Sequence, residues 1–137
     1  VVSQWCMLDL SKRTAVDLRA VAESHNDAIV ECPSPAEKPR KVPAPDAEPV
    51  LTHKVAYSDI DFNRHVNTMR YIEMMLDVLP IERFAEERPL RLDINFLKEA
   101  RYGQTLSVAL EERGSQTLVE IRSDAGAALC RGAFEWR

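Results

Sequence analysis

No apolar run in this chain of 137 residues approaches the length needed to cross a bilayer. Nor is there a basic stripe interleaved with aromatics, and the net charge is -4, which argues against general nucleic-acid binding. Cysteine is scarce: Cys6, Cys32 and Cys130 are all there are. None belongs to a C-x-x-C pair, so neither a zinc site nor a disulfide framework is expected. A reducing, cytoplasmic setting is the default expectation. Cys6 and Cys130 sit in apolar, strand-like runs and are expected to be buried, inert thiols. Neither a metal nor an organic cofactor is expected. The initiator methionine is missing, and Val1-Val2-Ser3-Gln4-Trp5 lacks the charged start of a signal peptide. The expectation is that further residues precede Val1. What is present is an ordinary hydrophobic fraction of 45%, with length for one domain and a real core.

The pattern along the chain predicts a strand over 1–10, a turn at Ser11-Lys12-Arg13-Thr14, and a helix over 15–25 with Val16, Leu18, Val21 and Ala22 on one side. Six prolines between Pro33 and Pro49 exclude a regular helix or central strand, so this stretch reads as an extended linker over the surface. A strand is predicted over 50–57 and a polar loop over 58–64. A helix should follow from about His65 to Leu79, stopped by Pro80. Its apolar residues (Val66, Met69, Tyr71, Ile72, Met74, Met75, Leu76, Val78, Leu79) wrap most of the circumference, which predicts burial on nearly all sides. Met69, Met74 and Met75 are expected to be adaptable core packing, and Tyr71 to pack in the core with its hydroxyl bonded or near the surface. Strands are predicted over 90–99, 104–112, 115–123 and 127–136. Leu90, Leu92, Ile94 and Phe96 alternate with polar neighbours, and Gly114-Ser115 and Asp124-Ala125-Gly126 supply hairpin turns. A lone apolar helix followed by antiparallel strands implies an α+β hot-dog fold, with an antiparallel sheet wrapped around one long buried helix.

The run Asp59-Ile60-Asp61-Phe62-Asn63-Arg64-His65-Val66-Asn67 carries the chemistry. It packs two carboxylates, two amides and an imidazole just ahead of the predicted helix. A helix N-terminus offers free N–H groups and the positive end of a dipole, a place where a reaction could stabilise an oxyanion. A calcium loop is the first competing reading of Asp59-x-Asp61-x-Asn63. It fails on ligand count, because the sixth position is Arg64 rather than Gly and the twelfth is Arg70 rather than Glu. Helix capping by Asn63 or Asp61 is the second. Capping accounts for one polar residue, not for Asp61, Asn63 and His65 recurring at a spacing of two, which aligns them on one side of an extended segment.

The stretch Tyr57 to Ile72 resembles the signature of the acyl-ACP thioesterases of plants and bacteria: Asp-x-Asp-x-Asn-x-His-Val-Asn followed by a Tyr-containing helix. Asn95-Phe96-Leu97-Lys98-Glu99-Ala100-Arg101-Tyr102-Gly103-Gln104-Thr105-Leu106 is similar to the family's second active-site strand. Ser3-Gln4-Trp5-Cys6-Met7-Leu8-Asp9, with Lys12-Arg13, resembles the strand that closes the family's first hot-dog domain. The resemblance implies residues 1–14 as the terminal strand of an upstream hot-dog domain, 15–49 as helix and Pro-rich linker, and 50–137 as a hot-dog thioesterase domain. That domain is expected to pair with a second one, upstream or in another copy.

By the same resemblance the activity is hydrolysis of fatty acyl thioesters carried on acyl carrier protein, with Asp61, Asn63, His65 and Glu99 forming the site. Glu99 is the candidate for activating water, and Asp61 the other carboxylate that could act on the thioester. Asn63 would orient water or carbonyl, and His65 would donate a hydrogen bond or transfer a proton. Plant members carry Cys after the matching Glu. Here the position is Ala100, so a thiol nucleophile is excluded there. Acyl carrier proteins are acidic, which makes Lys38, Arg40, Lys41, Arg88, Arg91, Lys98 and Arg101 candidate contacts. An acyl-CoA thioesterase and a non-catalytic acyl-binding module are the competing functions.

Overall fold

A computed structural model describes residues 2–12, 14–28, 33 and 37–137. Cys32, Arg13 and part of the Pro-rich stretch lie outside the described residues. The chain divides into two compact units, Val1–Pro39 and Arg40–Arg137.

In the first unit β1 (Leu8–Asp9) pairs with β2 (Thr14–Ala15), and α1 follows over Arg19–Ser24. The Asp9 carboxylate accepts from the backbone N–H of Ser11 and Lys12 and shapes the turn between the strands. The predicted strand over 1–10 is therefore two residues long. The predicted helix is six, because Thr14 and Ala15 go to the hairpin. Trp5 is 84% exposed and Cys6 is exposed, which corrects the expectation of a buried Cys6 thiol. Met7 O still accepts from the Val16 N–H, but among the described residues of this unit no strand pairs with residues 2–6.

The second unit is a five-stranded antiparallel sheet in the order β3-β5-β6-β7-β4: β3 Pro49–Lys54, β4 Pro89–Phe96, β5 Thr105–Arg113, β6 Gln116–Ser123, β7 Ala128–Trp136. All five lie close to the sequence prediction, because alternation and turn chemistry are local. Gly114 (φ 61°) and Gly126 (φ 75°) take the left-handed conformation that the two tight turns need. One face of the sheet carries Leu92, Ile94, Leu106, Val108, Val119, Ile121, Cys130 and Phe134. Helix α2 (Thr68–Leu76) packs on it with Tyr71, Met74 and Met75, and the hot-dog arrangement is realised. A Cβ at Gly132 would lie 2.6 Å from Met75 Sδ, so glycine there lets the helix seat against β7.

Three expectations about this helix are corrected. It starts at Thr68, not His65, because the amides of His65 and Val66 are engaged by Asp61 Oδ1 and Ala100 O. Its N-cap is Asn67, whose side chain accepts from the Met69 N–H, and not Asn63 or Asp61. It is buried on one face only: Met69 is 57% and Leu76 37% exposed. A single sheet covers a single side of a helix, so Met69 is not core.

The segment 40–48 has no regular structure, as its prolines require, but it is more than a surface linker. It straps the outer face of the sheet. Asp93 Oδ1 and Asn95 Oδ1 accept from the N–H groups of Arg40 and Val42, and Glu111 Oε2 accepts from that of Asp46. Val42 is buried against Leu118 and Ala133. Beneath the strap Glu120 bridges Arg122 and Arg131, and Arg122 donates to the carbonyls of Pro45 and Ala47. Burial alone would raise the Glu120 pKa; the two guanidinium groups outweigh it and hold the carboxyl below its ordinary value.

Candidate active site

The polar loop is a tight turn built by Asp61. Its N–H donates to the His65 carbonyl, and its own carbonyl accepts from the Arg64 N–H. Its Oδ1 accepts from the N–H of Asn63 (2.9 Å) and of His65 (3.2 Å). Four bonds over-determine the turn. They hold Arg64 at φ 64°, a strained conformation for a residue with a Cβ. Ile60 and Val66 bridge at the base of the turn. Asp61 Oδ1 is thereby engaged by the backbone donors of Asn63 and His65.

Below the turn lies Asp59, 4% exposed. Its Oδ2 accepts from the Ala56 N–H (2.7 Å) and meets His53 Nε2 at 2.8 Å, while Arg70 Nε lies 3.6 Å from Oδ1. Burial on its own would raise the carboxyl's pKa. The Ala56 amide, His53 and Arg70 outweigh that and hold it low. The Asp59 carbonyl also accepts from the N–H of Asn67, the cap of α2. Asp59 and Asp61 thus direct their carboxylates at different donors.

The expected pair does meet. His65 Nε2 lies 3.2 Å from Glu99 Oε2, in a cleft of about 260 Å³ whose wall includes Thr68, Tyr71, Phe96 and Leu97. The Glu99 side chain is 57% exposed and that of His65 27%. Glu99 is not on a strand, as expected, but in the bend after β4. The ladder ends at Phe96, because the N–H groups of Leu97 and Lys98 both turn to the Leu129 carbonyl. Asn63 is exposed, and it is not part of the cleft wall. Its side-chain amide makes no hydrogen bond among the described residues. Ala100 is fully buried.

Two features carried no sequence signal. One is the His53–Asp59–Arg70 knot. The other is the partner of the Tyr71 hydroxyl, which accepts from the Ala100 N–H (3.0 Å) across a sequence separation of 29. Burial pushes the Tyr71 pKa up, and the Ala100 bond opposes it only in part. The first turn of α2 also proves selective. Among the amides of residues 63–70, that of Thr68, on the cleft wall, is the one without an acceptor among the described residues. Of the candidate basic contacts, Arg40 pairs with Glu135 and Arg91 with Asp93. Lys98 and Arg101 are exposed, and Lys98 lies on the cleft wall. Among the described residues no helix is long and apolar enough to cross a membrane.

A sequence model of the acyl-ACP thioesterase C-terminal domain matches residues 44–137. A chloroplastic acyl-[acyl-carrier-protein] hydrolase of Cuphea viscosissima is 30% identical over 87 residues, covering 59% of this chain and 21% of that protein. The crystal structure of an acyl-ACP thioesterase from Bacteroides thetaiotaomicron superposes with a TM-score of 0.81 at 31% identity, over 95% of this chain and 53% of that one. A 12:0-ACP thioesterase from Umbellularia californica gives 0.76 at 18% identity, over 95% and 52%, a likeness of fold alone. The chain spans about a fifth of the curated relative and about half of each of these structures. With the domain match covering the whole sheet and the loop that carries His65, the chain belongs to the acyl-ACP thioesterase family.

Proposed function

We propose that this chain carries the catalytic half of a hydrolase that cleaves fatty acyl thioesters borne on acyl carrier protein. The observation that carries the reading is the 3.2 Å approach of His65 Nε2 to Glu99 Oε2 in a cleft with an apolar wall. Glu99 takes a proton from water as the water oxygen adds to the thioester carbonyl carbon. The Thr68 amide, at the positive end of α2, receives the oxyanion. Collapse of the tetrahedral intermediate breaks the C–S bond, and the proton returns through the Glu99–His65 pair to the thiolate. Free fatty acid and the carrier thiol result. Asp61 supports the loop through Oδ1; water activation is assigned to Glu99, which lines the cleft and meets His65 there, whereas Asp61 is not on the cleft wall. Asn63 orients the incoming carbonyl or water through its unengaged amide.

Lys98 on the cleft wall and the exposed Arg101 three residues along the chain suit an acidic carrier protein. The half-exposed Met69 and Leu76 on α2, and the edge strands β3 and β4, suit a second hot-dog domain laid against this one. Residues 1–14 would be the terminal strand of such an upstream domain, with 15–49 joining it to the catalytic one. A reducing, cytoplasm-like compartment fits Cys6 and Cys130 as free thiols.

The test compares hydrolysis of matched acyl-ACP and acyl-CoA by the full chain and by Glu99→Gln, His65→Ala and Asn63→Ala. A preference for the carrier protein is expected, with kcat losses of about 10²-fold or more for the first two variants. Equal rates on both substrates would remove the carrier-protein assignment. Undiminished activity in the Glu99 and Asn63 variants would place the chemistry at another site, whereas a folded chain that binds acyl-ACP without cleaving it would leave a binding module.

A further inference from the structure

Glu99 has a flexible side chain and belongs to no regular element, yet it must stay within reach of an imidazole on a separate loop. The backbone next door explains how. The Ala100 peptide is gripped from both sides. Its carbonyl accepts from the Val66 N–H at 2.8 Å, and its N–H donates to Tyr71 Oη at 3.0 Å. Val66 adjoins His65, and Ala100 adjoins Glu99. Tyr71 is itself 4% exposed, anchored in α2 and set edge-on to Phe96 at 5.9 Å. Three pieces of chain that share no secondary structure (the 60–66 turn, the 97–100 bend and α2) are thus tied at one peptide.

We propose that Tyr71 is a positioning residue whose hydroxyl clamps the Ala100 peptide and so sets the separation of His65 and Glu99. The ring fills the core, and a phenylalanine would do that as well. The oxygen is what reaches Ala100. The kinetic part of this proposal rests on the hydrolase reading; the clamp itself does not. Reacting groups misplaced by about 1 Å can lose about 10²-fold in rate, so a single buried hydrogen bond at this peptide can matter more to turnover than to folding.

Tyr71→Phe in the full chain keeps the ring and removes the oxygen. Two readouts are expected to move. The Ala100 amide, followed by NMR hydrogen exchange, should exchange about tenfold faster or more. On acyl-ACP, kcat should fall about tenfold or more while KM stays within about twofold. A double-mutant cycle then separates positioning from packing. If Tyr71 acts through Glu99, Tyr71→Phe/Glu99→Gln should be no slower than Glu99→Gln alone, within about twofold. Losses that multiply, or an Ala100 exchange rate unchanged by Tyr71→Phe, overturn the proposal. Should that variant not fold, 3,5-difluorotyrosine at position 71 weakens the oxygen as an acceptor without removing it; unmoved readouts there overturn the proposal equally. A wild-type chain inactive on every acyl thioester sinks the hydrolase reading instead, and Ala100 exchange decides the clamp alone.

Discussion

Replacing Asp59 by Asn alters one charge and almost no volume, at the point where the loop, β3 and α2 meet. The Asp59 carboxylate is 6% exposed and takes hydrogen bonds of 2.7 and 2.8 Å from Ala56 and His53. Both donors converge on Oδ2, so asparagine can keep both bonds on its amide oxygen while its NH2 replaces Oδ1 and faces Arg70, itself a donor. Hydrogen bonds to a charged group are worth about 1.5–3 kcal/mol each against about 1 for a neutral acceptor, so each of the two weakens by about 1–1.5 kcal/mol. The Arg70 side chain, 39% exposed, can be re-solvated and adds little. The expected loss is about 2–3 kcal/mol, or a Tm lowered by about 10 °C for a unit of this size. Urea unfolding should be followed through the near-UV band of the buried Trp136, since Trp5 is largely exposed and contributes little to it. The pH dependence has a definite sign. The folded-state pKa of Asp59 lies below its unfolded value, so its contribution is present above about pH 4 and disappears as pH falls through the folded value. The gap between wild type and Asp59→Asn should therefore be full at pH 7 and shrink below pH ~4. A gap under about 0.5 kcal/mol at pH 7, or one unchanged at pH ~3, would refute the account of this knot.

Asp61→Ala removes the acceptor of two amides in the turn; we expect a stability loss of about 1 kcal/mol by urea unfolding and a kcat loss of tenfold or more, because His65 is no longer held. Gly132→Ala places a methyl 2.6 Å from Met75 Sδ and should cost about 1–3 kcal/mol, most of it recovered when Met75→Ala is added. Burial pushes the Cys130 thiol up to about 12, so a thiol reagent at pH ~8 should leave it unlabelled in the folded chain while Cys6 reacts, as read by peptide mass spectrometry.

The strands of the second unit and the existence of its helix were legible because their signals are local: alternation at Leu90, Leu92, Ile94 and Phe96, glycine at the hairpins, a dense apolar run after the polar loop. The errors came where long-range bonds redirect a local tendency. Helical propensity begins at His65, but Val66 donates to Ala100, and the helix waits for Asn67. The apolar run of α2 looked buried all round, because composition counts residues and not the sheets that cover them. The Pro-rich stretch looked merely irregular, although Val42 is locked against Leu118 and Ala133.

By itself, the sequence determined an antiparallel sheet on one helix and a dense polar loop at 59–67, since periodicity, turn residues and clustered polar groups depend on near neighbours; Glu99 joins that loop as a candidate only through the resemblance to the acyl-ACP thioesterases. Only the tertiary structure decided that His65 faces Glu99, that Asp61 Oδ1 closes its own turn, that Asp59 is buried among His53 and Arg70, and that the Tyr71 hydroxyl meets Ala100. Each of these joins groups distant along the chain, and the distance between them depends on how the sheet and helix pack, which no local pattern encodes.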